Sequence, residues 1–119
     1  MTHHKLLRSL ISGVALALLL SASALAKGSR TINLAYTAIL SGTQIEAGQY
    51  QLRWEERSPE ATVTLANGKN VVATAQGKVE ERSVKYGRNM VLLTTKPDGS
   101  RTISEFRLAG TNKAIVFSE

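Results

Sequence analysis

Cysteine is absent from the 119-residue chain and proline occurs only twice. Without cysteine neither a disulfide framework nor a thiolate metal site is available, so packing and hydrogen bonds must hold the fold. Histidine is almost as scarce, since His3 and His4 are the only two and both lie at the extreme N-terminus. Aspartate appears once, at Asp98, and aromatic residues make up 5% of the chain. No apolar run reaches the roughly 18–20 residues that a helix needs to span a bilayer.

The most apolar stretch is at the start. Lys5 and Arg8 precede an apolar run from Leu10 to Leu20, broken by Ser12 and Gly13, and small residues follow from Ser21 to Ala26. A basic start, a short apolar stretch and an A-x-A end at Ala24-Leu25-Ala26 are the three parts of a cleavable secretory signal. Residues 1–26 are therefore expected to form a helical signal peptide cut after Ala26, because small side chains at Ala24 and Ala26 suit the processing enzyme. The expected product is a single domain, residues 27–119, exported to the bacterial periplasm or to the cell exterior and not stably inserted in a membrane.

Cleavage also removes chemistry. Both histidines leave, and the remainder keeps 13 Lys and Arg against nine acids, a formal charge of +4. With no His or Cys, Ser-His-Asp and Cys-His nucleophiles are excluded, and so is a zinc site built on those ligands. Carboxylates remain, but Glu55–Glu56 and Glu80–Glu81 fall on predicted strands, where neighbours face opposite ways. Neither pair can converge on one glycosidic bond, which leaves only cross-strand pairs such as Glu55 with Glu105 for a carboxylate-only hydrolase. No D-x-D-x-D-G calcium loop is present. Asp98 lies in a Pro-Asp-Gly turn and is expected to cap its own backbone. A non-catalytic protein without metal or cofactor is the expectation.

What the chain does have is β-patterning. Tyr50, Leu52 and Trp54 alternate with Gln51, Arg53 and Glu55 in the clearest period-two stretch. A first strand is predicted from about Thr31 to Thr37. Turns at Ser41-Gly42-Thr43 and Glu46-Ala47-Gly48 flank a very short second one. Further strands are predicted at 61–65, 70–81, 89–95, 101–108 and 113–118. Asn67-Gly68 reads as a hairpin turn with positive φ at both central residues, and Gly77 as a bulge or bend. The expected fold is all-β, an antiparallel meander of seven or eight strands forming a small sandwich or barrel, with parallel pairing disfavoured for want of a crossover helix. Patterning places Ile32, Leu34, Tyr50, Leu52, Trp54, Val63, Leu65, Val72, Val79, Leu92, Phe106, Leu108, Ile115 and Phe117 in the core.

Three features bear on binding. Arg82, Lys85 and Arg88 surround Tyr86, a candidate site for an anionic polymer, although Glu80 and Glu81 offset the charge as in an ordinary solvated loop. Export sets nucleic acid aside. Tyr50 and Trp54 read either as a sugar-stacking face or, more simply, as core. Met90–Leu93 and Ala114–Phe117 are apolar on both faces, which points to cover by another chain and to self-association.

Three stretches resemble a group of small, uncharacterised secreted bacterial proteins: A-G-x-Y-x-L-x-W at Ala47–Trp54, N-G-K-x-V-V-A-T at Asn67–Thr74, and D-G-S-R-T…E-x-R at Asp98–Arg107. The resemblance spans most of the domain and implies a β-sandwich-like fold, but brings no activity, cofactor or ligand with it. The expected function is protein binding or self-association at the cell surface or in the periplasm. The alternative is a soluble carrier or recognition module for an anionic glycan or a small apolar ligand.

Overall fold

The computed structural model describes residues 26–118. Those residues form nine strands and no helix: β1 (Ala26–Leu34), β2 (Ala38–Leu40), β3 (Thr43–Ile45), β4 (Gly48–Arg57), β5 (Glu60–Asn67), β6 (Asn70–Glu81), β7 (Met90–Thr95), β8 (Arg101–Arg107) and β9 (Lys113–Val116). The domain is all-β, as expected. The signal segment, with Ala24, lies outside the described residues, and Ala26 is the first residue of β1, opposite Glu56.

All strands join one mixed sheet in the order β1-β4-β5-β6-β9-β8-β2-β3, with β7 on the far side of β8. It is not a meander. β1 skips its sequence neighbours to pair with β4 over nine positions, and the β2–β3 hairpin is set against β8. That hairpin supplies a parallel bridge, Ile39 opposite Thr102. Parallel pairing was set aside because no single connection could hold a crossover helix. Here the two partners are 63 residues apart and the intervening strands make the crossover. β2 itself was missed because three residues are too few to show alternation.

Turn chemistry also differs from expectation. Leu40 pairs with Thr43, so Ser41-Gly42 is a two-residue loop with φ of 51° and 84°. Positive φ at both positions is the type I′ signature. At the other hairpin Asn67 pairs with Asn70 and only Gly68 has positive φ, at 63°. The cause is a bulge: the register slips by one between Leu65 and Ala66, leaving Val72 as the extra residue on β6.

Gly77 is not that bulge. β6 pairs with β5 through Lys78 on one edge and with β9 from Lys78 to Glu81 on the other. A Cβ on Gly77 would lie 2.9 Å from Ile115 Cγ2 and Phe117 Cε1 and 3.0 Å from the Val116 carbonyl oxygen. The glycine is there because β9 crosses too closely for any side chain.

The sheet bends around one core drawn from β1 to β6, β8 and β9, with Val91 and Leu93 of β7 packed against it. Leu52, Val63, Leu65, Phe106 and Ile115 are almost wholly buried. Leu92, expected inside, faces out. A second register slip between Leu92 and Leu93 makes Ser104 the extra residue on β8, and this lets Ile103 and Phe106 both point inward despite their odd spacing. Small alanines at 38, 61, 73 and 75 complete the core alongside Leu40 and Ile45. Phe117 meets Phe106 edge-on, ring centroids 5.5 Å apart.

Asp98 behaves as its turn predicts. Oδ1 accepts hydrogen bonds from the Ser100 hydroxyl at 2.6 Å and the Ser100 backbone N–H at 2.9 Å. These hold its carboxyl below the ordinary carboxylate range.

Two outcomes follow. Gly77→Ala should lower stability in urea titration by about 1–3 kcal/mol, the usual cost of overpacking. The Asp98 carboxyl, followed by NMR, should titrate below the ordinary value near 3.9. A depressed folded pKa means its stabilisation is present above the unfolded carboxylate range and lost as pH falls through the folded pKa, so Asp98→Asn should flatten the acid limb of the stability profile.

Candidate binding surface

The basic segment after β6 runs beside the turn between β8 and β9 and is fastened to it by backbone hydrogen bonds. Arg82 N donates to Asn112 O at 2.7 Å, Tyr86 N to Thr111 O at 2.8 Å, and Gly110 N returns to Tyr86 O at 2.8 Å. The Asn112 side-chain amide donates to Arg82 O at 3.0 Å. This is a structured strap.

Its charges are largely matched. Arg82 Nη2 lies 3.0 Å from Glu80 Oε1 and 3.3 Å from Glu105 Oε1, while Arg107 Nε lies 2.8 Å from Glu105 Oε2. The Arg107 guanidinium sits over the Tyr86 ring, 5.2 Å from its centroid, a favourable cation–π distance. Desolvation disfavours the charge on Arg82, but the hydrogen bond and charge of Glu105 outweigh it and raise the guanidinium pKa further. Of the four residues singled out from sequence, the structure joins Arg82 and Tyr86 in one network. Lys85 and Arg88 stand exposed, with no ion pair among the described residues. Glu105, Arg107 and Asn112 were not legible as members, because β8 and its turn lie some 20 residues away in sequence.

The carboxylates do not converge. Glu55 points outward to Lys27, 3.7 Å away. Its neighbour Glu56 points inward, is 8% exposed and meets Lys113 Nζ at 3.4 Å. Glu105 is held by its two arginines.

A second surface lies on the first strands. Trp54 shares the inward face of Tyr50 and Leu52, yet those two are buried and Trp54 only half so. Its cross-strand partner is Gly28. The indole lies across that glycine so closely that a Cβ at position 28 would collide with Cζ2, Cε2 and Cη2. The Arg30 guanidinium stands 5.4 Å from the indole centroid and donates to Ser29 O at 2.9 Å. A groove of about 590 Å³ borders Gly28 and Trp54, walled by Lys27, Ser29, Arg53, Glu55, Thr62 and Thr64.

The two ends of the sheet meet beside this region. β1 lies against β7 without a ladder. Asn89 spans the seam, its Nδ2 donating to Thr31 O at 3.4 Å and its Oδ1 accepting from Ala109 N at 2.9 Å. Arg101 caps the far end, 4.3 Å from the Tyr36 ring centroid. Comparison with protein-family models, curated proteins and solved structures finds no match.

Glu105→Ala should strip Arg107 of its carboxylate and leave Arg82 with Glu80 alone. The expected loss is about 1–3 kcal/mol for orphaned, partly buried charges, toward the lower end because solvent reaches Arg82 and Arg107. Urea titration at low and high salt checks it, and the loss should shrink as salt rises.

Proposed function

We propose that the chain is an exported, non-catalytic β-domain that acts by protein binding, through self-association at the cell surface or in the periplasm. The supporting observation is β7. Val91 and Leu93 face the core, while Met90 and Leu92 face outward and remain half-exposed. The strand carries no charged residue, and the edge away from β8 is joined to β1 by side-chain contacts, not by a ladder. Apolar outward residues beside unpaired backbone groups form a template for a further strand. A sheet that bends around a single core also supports a sandwich-like or barrel-like packing for the domain.

Recognition of an anionic polymer by the strap has less support. Arg82 is already paired twice, which leaves Lys85 and Arg88 as its exposed cations beside Tyr86. In this reading β7 is the working edge.

Light scattering of the purified protein across a concentration series tests it. The expected result is concentration-dependent association, weakened by about tenfold or more in Leu92→Lys, which sets like charges against each other across a β7–β7 pair. A protein that stays monomeric at high concentration overturns the self-association reading.

A further inference from the structure

We infer that the groove beside Trp54 binds a short acidic oligosaccharide. This goes beyond the edge-strand reading and does not depend on it. The first ground is the exposure of Trp54. A tryptophan on the core-facing side of a strand is ordinarily covered by the side chain opposite, and here the residue opposite is Gly28. β1 is also the end of the sheet, so nothing beyond it hides the indole. A large, rigid, amphipathic ring is left half-exposed at the rim of a groove of about 590 Å³, within the roughly 300–1,000 Å³ of ordinary ligand sites.

The second ground is the chemistry of the walls. Thr62 and Thr64 are half-buried hydroxyls, Lys27 and Glu55 form an exposed pair at 3.7 Å, and Arg53 is exposed with no ion pair among the described residues. A purely apolar ligand would desolvate these groups without replacing their hydrogen bonds, which is costly. A sugar ring satisfies both halves of the site. Its C–H face rests on aromatic carbon, as Trp prefers with one side apolar and one side wet, and its hydroxyls reach the threonines and the Lys27–Glu55 pair.

The third ground is charge. The groove has two cations, Lys27 and Arg53, against the single carboxylate of Glu55, and Arg30 stands over the indole. A carboxylate on the sugar pairs with Arg53, whose planar fork matches it in bidentate fashion. With the cut expected after Ala26, the freed α-amino group of Lys27 adds a further positive charge at the margin.

Trp54 is the single tryptophan of the chain, so its fluorescence reports on this groove. The purified protein is titrated with trigalacturonate, with neutral maltotriose and with citrate, a polycarboxylate that is not a sugar. The expected result is a saturable change in emission with trigalacturonate alone, its affinity about tenfold weaker in Arg53→Gln, as for one lost charge-assisted hydrogen bond. Thermal unfolding of that surface variant should match the parent. A response to citrate equal to that with trigalacturonate overturns the inference, because charge without sugar then suffices. An equal response to maltotriose overturns it because the charge then plays no part, and silence toward all three overturns it outright. Light scattering on the same samples keeps the two readings apart. A monomer that binds the trisaccharide removes the edge-strand reading and retains this one, whereas an assembling protein indifferent to the sugar does the reverse.

Discussion

The partner change of β6 at Gly77 and Lys78 ties the two halves of the sheet together. Up to Lys78 the strand belongs to β5 and so to the β1-β4-β5 side; from Lys78 it also belongs to β9 and so to β8, β7 and the β2–β3 hairpin. In a chain without disulfides no covalent link backs up this junction. It depends on close packing, in which Ile115, Phe117 and the Val116 carbonyl occupy the space where a side chain on residue 77 would be. The Phe106–Phe117 contact then carries the packing from β9 into β8.

Charge follows from that junction. Once β9 lies between β6 and β8, Glu80 and Arg82 at the end of β6 come beside Glu105 and Arg107 on β8, and their signs alternate. Glu105 serves two arginines, and Tyr86 lies beneath one of them. The strap that read as a basic binding loop is therefore mostly occupied with holding its own end of the sheet. Its two exposed cations, Lys85 and Arg88, are what remains for solvent or for a ligand.

Much of the strand content was legible because alternation is a local signal. β4 to β9 lie within a few residues of their expected limits, and Ile32, Leu34, Tyr50, Leu52, Val63, Leu65, Phe106, Leu108 and Ile115 are buried as patterned. The misses share a physical cause. A bulge inserts one residue and reverses the inward parity beyond it, so Leu92 was assigned to the wrong face and Ile103 was passed over. β2 and β3, three residues each, are too short for any period to appear. Alanines at 61, 73 and 75 carry little hydrophobic signal, yet strands that approach closely need small residues. At the candidate surface Trp54 was noticed, but Gly28, which decides its exposure, lies 26 residues earlier and bears no local mark.

By itself the sequence determined that this domain is built from strands, that neither cysteine nor histidine chemistry serves it after the expected cut, and that Asp98 and several glycines sit in turns. Those are properties of residue type and short-range spacing. Tertiary structure alone decided that β1 pairs with β4, that β6 changes partner at a glycine, that Arg82 is neutralised from β8, and that Trp54 is left half-uncovered. Each depends on which distant residues a ladder places opposite one another, and a shift of one residue in register would turn every such side chain to the other face.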